Sequence, residues 1–354
     1  MPKSSQQIES RPRLLLVGNF LSRQGQVPQL CEELADRFEI EGWSVLRTSS
    51  KPGKVARLAE MVVTAFRRRA DFDLVQIDLF SGSAFVWAEI VALVVRAARK
   101  PFVLTLHGGQ LPEFAARHPV RVRRLLRSAA VVTSPSAYLA GQMREFRSDI
   151  EVLPNPLDLT RFEFHPRDDP RPKLVWLRAF HEVYRPWLAV EVLGQLAAAY
   201  PGARLTMYGP DKADGSKEKT EAAIRRLGLE EKVSLGGAIP AEEVASSLQE
   251  GDVILNSSKV DNAPRSVIEA MACGLCVVST DVGGVPYLLD GGENGLLVPP
   301  DDEEAMANAV MRVLGEPKLA ESLSRNGRRK AEGHDWSIVI PRWEQVFQKV
   351  AKDG

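Results

Sequence analysis

The sequence predicts two doubly wound α/β units, each a parallel sheet covered by helices on both faces. Short apolar, β-prone runs alternate with longer runs of helical periodicity almost from end to end. Strands that are apolar on both faces and linked by helices belong to buried parallel sheets. The alternation halts at a proline-rich stretch, Pro154, Pro156 and then residues 165–172, before it restarts. That composition marks a junction between domains. A chain of 354 residues also exceeds what one core usually organises.

Taken in order, the first half opens on the all-apolar run 14–18, followed by helical spacing over 24–41. Strands then fall at 44–47, 74–79, 102–106, 129–133 and 151–153, where β-branched and leucine residues cluster. Between them, apolar residues at helical spacing predict helices at 55–69, 84–98, 120–127 and 136–146. After the prolines come strands at 173–177, 204–208, 232–235, 253–256, 276–279 and 295–298. Helices are expected at 187–199, 218–227, 241–249, 266–272 and 303–314. The first unit is therefore placed at 1–165, completed by a C-terminal helix at 337–354, and the second at 166–336.

Composition excludes several classes. Hydrophobic content of 44% with 26% charged residues is that of a soluble globular chain, not a disordered or collagen-like one. Three cysteines, Cys31, Cys273 and Cys276, are too few for a disulfide scaffold and fit a reducing compartment. The N-terminal residues 1–13 are polar and do not read as a secretion signal, so a cytoplasmic location is expected. The longest apolar run, 84–95, carries Glu89 and is too short to span a bilayer.

Net charge is zero but unevenly placed. Residues up to His165 hold 23 Lys and Arg against 17 Asp and Glu, and the remainder holds 23 against 29. A first half at +6 suits an anionic surface or substrate as readily as ordinary surface charge. Arg117, Arg121, Arg123, Arg124 and Arg127 concentrate that charge, with Phe114, Val122 and Leu125 beside them. They read as a peripheral membrane foot, as a dock for an acidic acceptor, or as a solvated helix face. No nucleic-acid partner is expected.

Several motifs fail. Neither GxxxxGK[ST] nor GxGxxG occurs, which disfavours P-loop and standard NAD chemistry. Cys273 and Cys276 have CxxC spacing, but the pair straddles a helix end and an apolar strand and reads as core. Asp71 and Asp73 precede a strand at its amino end, away from the side where α/β sheets bind ligands.

That rule directs attention to the carboxyl ends of the strands, and with two units to a cleft between them. The residues there include Gly18, Asn19, His107, Asn155, Arg178, Gly209, Gly237 and Thr280. The segment Asp261–Gly274, DNAPRSVIEAMACG, says most. Pro264 suits the first turn of a helix and Gly274 its end. Free amides and the helix dipole at that start make an anion site. Glu269 could accept ribose hydroxyls, and Asp261 a sugar hydroxyl. Helix-start acidity explains both residues equally well.

The segment resembles the acidic–seven residues–Glu motif of retaining glycosyltransferase family 4, the group 1 transferases of the two-Rossmann-domain fold called GT-B. Residues 153–162 (LPNPLDLTRF), 280–286 (TDVGGVP) and 294–299 (NGLLVP) match the family's other signatures in order. The resemblance implies transfer of a sugar from a nucleotide diphosphate sugar to an acceptor hydroxyl, on a glycan, a lipid-linked glycan or a small molecule. It implies retention of configuration, no metal and no cofactor.

Carried over by position, Glu269 would bind ribose and Asp261 the donor sugar. Asn262, Ala263, Pro264 and Arg265 would present amides to sugar and diphosphate. His107 would stand beside the transferred sugar, and Gly18 and Asn19 where acceptor and diphosphate approach. Gly209, Gly237 and Ile239 would border the nucleotide, and Arg178 would clamp the diphosphate. The sequence departs in two places. Val183 stands where the family has a second diphosphate cation, a lysine, leaving Arg185, Lys259 or Tyr184 to replace it. The first acidic residue is Asp261, where Glu is usual. These changes keep two alternatives open: a catalytically silent GT-B subunit, and a GT-B isomerase or phosphorylase.

Overall fold

A computed structural model describes residues 11–22 and 29–353. They divide into two compact units, the described residues up to 135, 140–153 and 340–353 in one, 136–139 and 154–339 in the other.

In the first unit the order is β1 (Leu14–Val17), α1 (Leu30–Ile40), β2 (Val45–Thr48), α2 (Lys54–Arg67), β3 (Leu74–Leu79), α3 (Ser83–Ala97) and β4 (Phe102–Leu106). It continues through α4 (Leu111–Arg117), α5 (Pro119–Ser128), β5 (Val131–Ser134), α6 (Ala137–Gln142) and β6 (Ile150–Val152). The six strands form one parallel sheet in the order β2-β1-β3-β4-β5-β6. Leu14 to Val17 are all buried, as a strand covered on both faces requires.

The second unit runs β7 (Lys173–Leu177), α7 (Pro186–Ala199), β8 (Arg204–Tyr208), α8 (Ser216–Leu227), β9 (Val233–Gly237), α9 (Val244–Gln249) and β10 (Val253–Asn256). Then come α10 (Arg265–Cys273), β11 (Cys276–Thr280), α11 (Val285–Leu288), β12 (Leu296–Val298), α12 (Glu303–Gly315), α13 (Pro317–Glu332) and α14 (Trp336–Asp353). Its parallel sheet is ordered β12-β11-β10-β7-β8-β9. Two apolar layers cover it, one centred on Trp176, Leu193 and Val310, the other on Ile254, Met271 and Val277. Most of α14 belongs to the first unit, where Trp343 and Phe347 join Phe38 and Trp43 in an aromatic cluster.

The structure refines several expected elements. The helix expected over 24–41 starts at Leu30, and residues 24–28 lie outside the described ones. The pattern at 120–127 is α5, preceded by a separate α4, because Pro119 has no amide and its ring disfavours helix at His118. The helix at 136–146 is regular only over α6, and that at 241–249 is a 3-10 turn, Ala241–Glu243, followed by α9. Pro264 lies just before α10 instead of inside its first turn.

The sequence pattern does not predict α4, α11 or α13, and the longest of these is α13. Its buried face is Ala320, Leu323, Ser324, Gly327 and Ala331, spaced for a helix but made mostly of small or polar residues. Small residues suit its close packing on α10, where a Cβ on Gly327 would stand 3.1 Å from Met271 Cγ. The proline-rich stretch is likewise no loose tether. Arg167 is buried and donates to Asp252 Oδ1 at 2.8 Å, while the Arg171 amide donates to Asp252 Oδ2 at 2.9 Å.

Candidate functional site

Three strand ends in the second unit bring Arg178 into place. The Arg178 amide, one residue past β7, donates to Tyr208 O at 3.0 Å. Gly209, one residue past β8, has φ +148°, and a Cβ there would lie 1.6 Å from the Arg178 carbonyl oxygen. Its amide donates to Gly237 O at the end of β9, 2.7 Å away. No side chain fits at 209 while the strands keep this spacing.

The Arg178 side chain is largely buried and pairs through Nη2 with Asp261 Oδ2. Its guanidinium carbon lies 4.5 Å from the centroid of the Tyr184 ring, at cation–π distance. Burial opposes its charge, yet Asp261, Tyr184 and Glu269 outweigh burial and hold the guanidinium above its ordinary pKa. One atom is left over. Arg178 Nε is buried without a hydrogen-bond partner.

Asp261 is fixed from several sides. Oδ1 accepts the Asn262 amide at 3.0 Å, and Ser258 Oγ lies 3.2 Å from Oδ2. Behind it, the loop after β11 packs backbone on backbone. The Gly284 amide donates to Asp261 O at 3.0 Å, and Cβ atoms on Gly283 and Gly284 would stand 2.0 Å from Asp261 O and 1.8 Å from Asn262 O. Asn262, Ala263 and the buried Pro264 then lead into α10. Within α10, Glu269 is 9% exposed and accepts from Arg265 Nε at 3.0 Å. Two cation–carboxylate pairs, Arg178–Asp261 and Arg265–Glu269, thus bracket the start of one helix. The amides of its first turn and its dipole favour an anion there.

The remaining second-unit candidates are placed as follows. Arg185 donates to Glu182 Oε1 and Asp301 Oδ2, both at 3.1 Å, so its charge is already matched. Tyr184 contributes its ring face to Arg178. Lys259 is exposed, and its amide donates to Val183 O at 2.7 Å. Gly237 is exposed, and Ile239 packs partly buried against the core. Asn155 O lies 2.8 Å from His334 Nδ1, which ties the 153–162 segment to the turn before α14.

In the first unit, Gly18 and Asn19 follow β1, and His107 follows β4 with its amide donating to Leu79 O at 2.8 Å. Asn19 Oδ1 accepts from Arg57 Nη1 at 2.8 Å. His107 Nε2 lies 3.0 Å from Asp78 Oδ1, and Gln76 Nε2 donates to the same oxygen at 2.8 Å. Asp78 and Gln76 were missed by sequence reasoning. Their signal was two polar residues at alternate positions in an otherwise apolar strand.

The arginine cluster is partly spent within the protein, since Arg117 pairs with Glu113 and Arg121 with Glu89. Arg123 lies over the Phe146 ring, while Arg124 and Arg127 are exposed. Cys273 and Cys276 are buried free thiols, both pushed up to about 12 by burial.

A family model described as glycosyl transferases group 1 matches residues 160–330, and one described as glycosyltransferase family 4 matches residues 20–161. The chain belongs to the group 1, family 4 glycosyltransferases. It is 28% identical over 332 residues to the 2-deoxystreptamine glucosyltransferase of Streptomyces kanamyceticus, covering 83% of this chain and 82% of that one. It is 31% identical over 208 residues to a component of the phosphatidylinositol N-acetylglucosaminyltransferase of Arabidopsis thaliana. That match covers 57% of this chain and spans 44% of the Arabidopsis protein. Anabaena HepE, solved with UDP and glucose, superposes with a TM-score of 0.76 at 19% identity, over 96% of this chain and 100% of HepE. The likeness to HepE is one of fold, and that fold is GT-B.

Proposed function

We propose that the protein transfers a sugar from a nucleotide diphosphate sugar to an acceptor hydroxyl, with retention of configuration and without a metal. The observation that carries the reading is Arg178. A cation held charged among Asp261, Tyr184 and Glu269, with a buried Nε lacking a partner, suits a diphosphate oxygen arriving there. The start of α10 offers amides to the same anion. HepE, solved with UDP and glucose, supports a nucleotide-sugar donor through its shared fold.

In the proposed reaction the bond from the anomeric carbon to the diphosphate breaks, and the acceptor oxygen bonds to the same face. The hydroxyl proton passes to the departing phosphate oxygen. Charge builds on the diphosphate as this proceeds, and Arg178 and the α10 amides meet it without reorganising. Asp261 holds the transferred sugar, Glu269 takes ribose hydroxyls, and His107 stands by the sugar. Lys259 supplies the second cation in place of Val183, since its backbone lies against that residue and Arg185 is occupied by Glu182 and Asp301.

The test is a screen of UDP-, GDP- and ADP-sugars by thermal shift, followed by transfer with and without EDTA. A ligand at 100 times its Kd should stabilise the protein by about 2.7 kcal/mol. Anomeric coupling constants of the product decide stereochemistry. An inverted product, or transfer abolished by chelation, overturns the corresponding part. Binding of a donor without transfer or hydrolysis would instead favour the silent-subunit reading.

The same proposal places the protein in the cytoplasm, touching an anionic membrane through 117–127. The exposed Val120, Arg124 and Arg127 support this contact. Each basic residue near such a surface adds about 1 kcal/mol. Sedimentation with phosphatidylglycerol vesicles, but not phosphatidylcholine vesicles, is expected at low ionic strength; no binding to either removes the contact.

A further inference from the structure

The first sheet carries a file of buried polar side chains that an all-parallel sheet has no packing need for. Gln76, Thr105 and Thr133, from β3, β4 and β5, are 0%, 3% and 0% exposed. Apolar β-branched residues fill such positions by default, because an unbonded polar group there is costly. These three are bonded into one chain. Thr133 Oγ1 lies 3.0 Å from Thr105 Oγ1, and Gln76 Nε2 donates to Thr105 Oγ1 at 2.8 Å. Gln76 Nε2 also donates to Asp78 Oδ1 at 2.8 Å, and that oxygen lies 3.0 Å from His107 Nε2.

The carboxylate has little room to turn. A Cβ on Gly18 would stand 2.8 Å from Asp78 Oδ2 and 2.6 Å from Cys31 Sγ, so glycine, thiol and carboxylate are packed together. On one face of the imidazole, the Phe80 ring stacks at 4.8 Å between centroids, with 18° between planes. Gln76 also accepts a penalty to keep this arrangement. Its Oε1 is buried without a partner, and the flipped amide would set that oxygen against Asp78.

An ionised carboxylate only accepts hydrogen bonds, so both neighbours of Oδ1 must donate. Gln76 gives an amide N–H, and His107 therefore carries its proton on Nε2. We infer that Asp78 is a positioning residue: braced by Gln76, it fixes the plane of His107 and its Nε2–H form, leaving Nδ1 to accept a hydrogen bond from a substrate hydroxyl. The identity of that hydroxyl rests on the proposed transfer reaction. The Asp78–His107 pair does not. Nothing in this step moves a covalent bond; Asp78 acts through the ring alone.

The test starts on free protein labelled with ¹⁵N-histidine, with His107→Gln assigning the signal. A bonded proton coupled to Nε2, protected from exchange and downfield of ordinary imidazole N–H, is expected. Asp78→Leu should abolish it. Asp78→Asn should keep the coupling to Nε2, because Gln76 holds the amide oxygen in place, but move the proton upfield, since a neutral acceptor binds more weakly. A bonded proton on Nδ1, or a signal unmoved in either variant, overturns the inference. Should Asp78→Leu fail to fold, the asparagine variant decides alone.

With donor and acceptor present, Asp78→Leu should lower kcat about ten- to a hundredfold, the scale of a misplaced reacting group. The donor KM should stay within about twofold, and asparagine should restore part of the rate. An unchanged kcat in Asp78→Leu removes the positioning role. If the protein transfers no sugar, the spectral result still stands or falls alone, so the two readings fail separately.

Discussion

Arg178 and Asp261 are 83 positions apart and meet as an ion pair, with Tyr184 under the guanidinium and the start of α10 following Asp261. Neither partner is where it is by its own preference. Gly209 gives the clearance on one side, and Gly283 and Gly284 give it on the other. Within the proposed reaction the pair holds the guanidinium oriented until a diphosphate competes for it, with Nε still buried and unpartnered. In that proposal the ion pair would be the resting state of the cation that receives the leaving group.

Removing either partner should therefore give different signatures. Arg178→Ala should cut kcat/KM for the donor by about 2–4 kcal/mol through loss of charge-assisted contacts. Asp261→Ala should also lower stability, by about 3 kcal/mol, because a largely buried cation then loses its paired carboxylate. Urea melts and initial rates on both variants check this. Wild-type kcat/KM in Arg178→Ala would take Arg178 out of the site.

Gly209→Ala tests the backbone. Its Cβ would lie 1.6 Å from Arg178 O, and φ at +148° suits glycine alone. The added methyl must push β7 and β8 apart at their ends and move Arg178. We expect destabilisation on the order of 2–4 kcal/mol, together with loss of donor binding by the folded fraction. Gly202→Ala, where a Cβ meets nothing within 4 Å, is the matched control. Equal melting temperatures for the two variants would show that position 209 yields.

How much of this was legible in the sequence depends on the kind of signal. Strands such as Leu14–Val17 and Val253–Asn256 were plain, because burial on both faces leaves an unbroken apolar run. Helix α13 was hidden, because its buried face holds one large apolar residue, Leu323, among the small or polar Ala320, Ser324, Gly327 and Ala331. The motif around Asp261 and Glu269 was visible as spacing on one helix. Its pairing with Arg178 was not, since only the fold brings positions so distant together. Asp78 and Gln76 were overlooked because a strand pattern shows alternation but not which neighbour a polar residue meets. Arg185 carried charge in the right stretch, yet Glu182 and Asp301 had already claimed it.

Burial of the three free thiols gives a pH prediction with a definite sign. Burial pushes Cys273 and Cys276 up to about 12, well above an ordinary thiol near 8.5. Below about pH 8.5 both folded and unfolded states keep the proton, and the stabilising difference is fully present. Above it the unfolded chain releases protons that the folded one retains, so stability falls as pH rises towards 12. Melting temperatures at pH 7.5, 9 and 10 should decline, and Cys273→Ala with Cys276→Ala should reduce the slope, leaving the part that the buried Cys31 contributes. At pH 8 a thiol-specific reagent should label neither residue until the protein is unfolded. Rapid labelling of the native protein would contradict their burial.

Glu269→Gln tests the ribose contact that the proposed transfer reaction assigns to α10. Glu269 is 9% exposed and accepts from Arg265 Nε at 3.0 Å, one turn earlier on the same helix. Glutamine is nearly isosteric, and its carbonyl oxygen can accept the same bond, so packing and helix should hold. What changes is the charge and the second acceptor oxygen, since an amide presents one oxygen where a carboxylate presents two. Two ribose hydroxyls can both donate to the carboxylate, but only one can donate to the amide without the other meeting an N–H. Donor affinity should fall by about 1.5–3 kcal/mol, tenfold or more, with the melting temperature of free protein nearly unmoved. Calorimetric titration with the nucleotide diphosphate alone separates this from sugar contacts, because the loss should be the same with and without the sugar. A full loss seen only with the intact donor sugar would move Glu269 from the ribose to the transferred sugar.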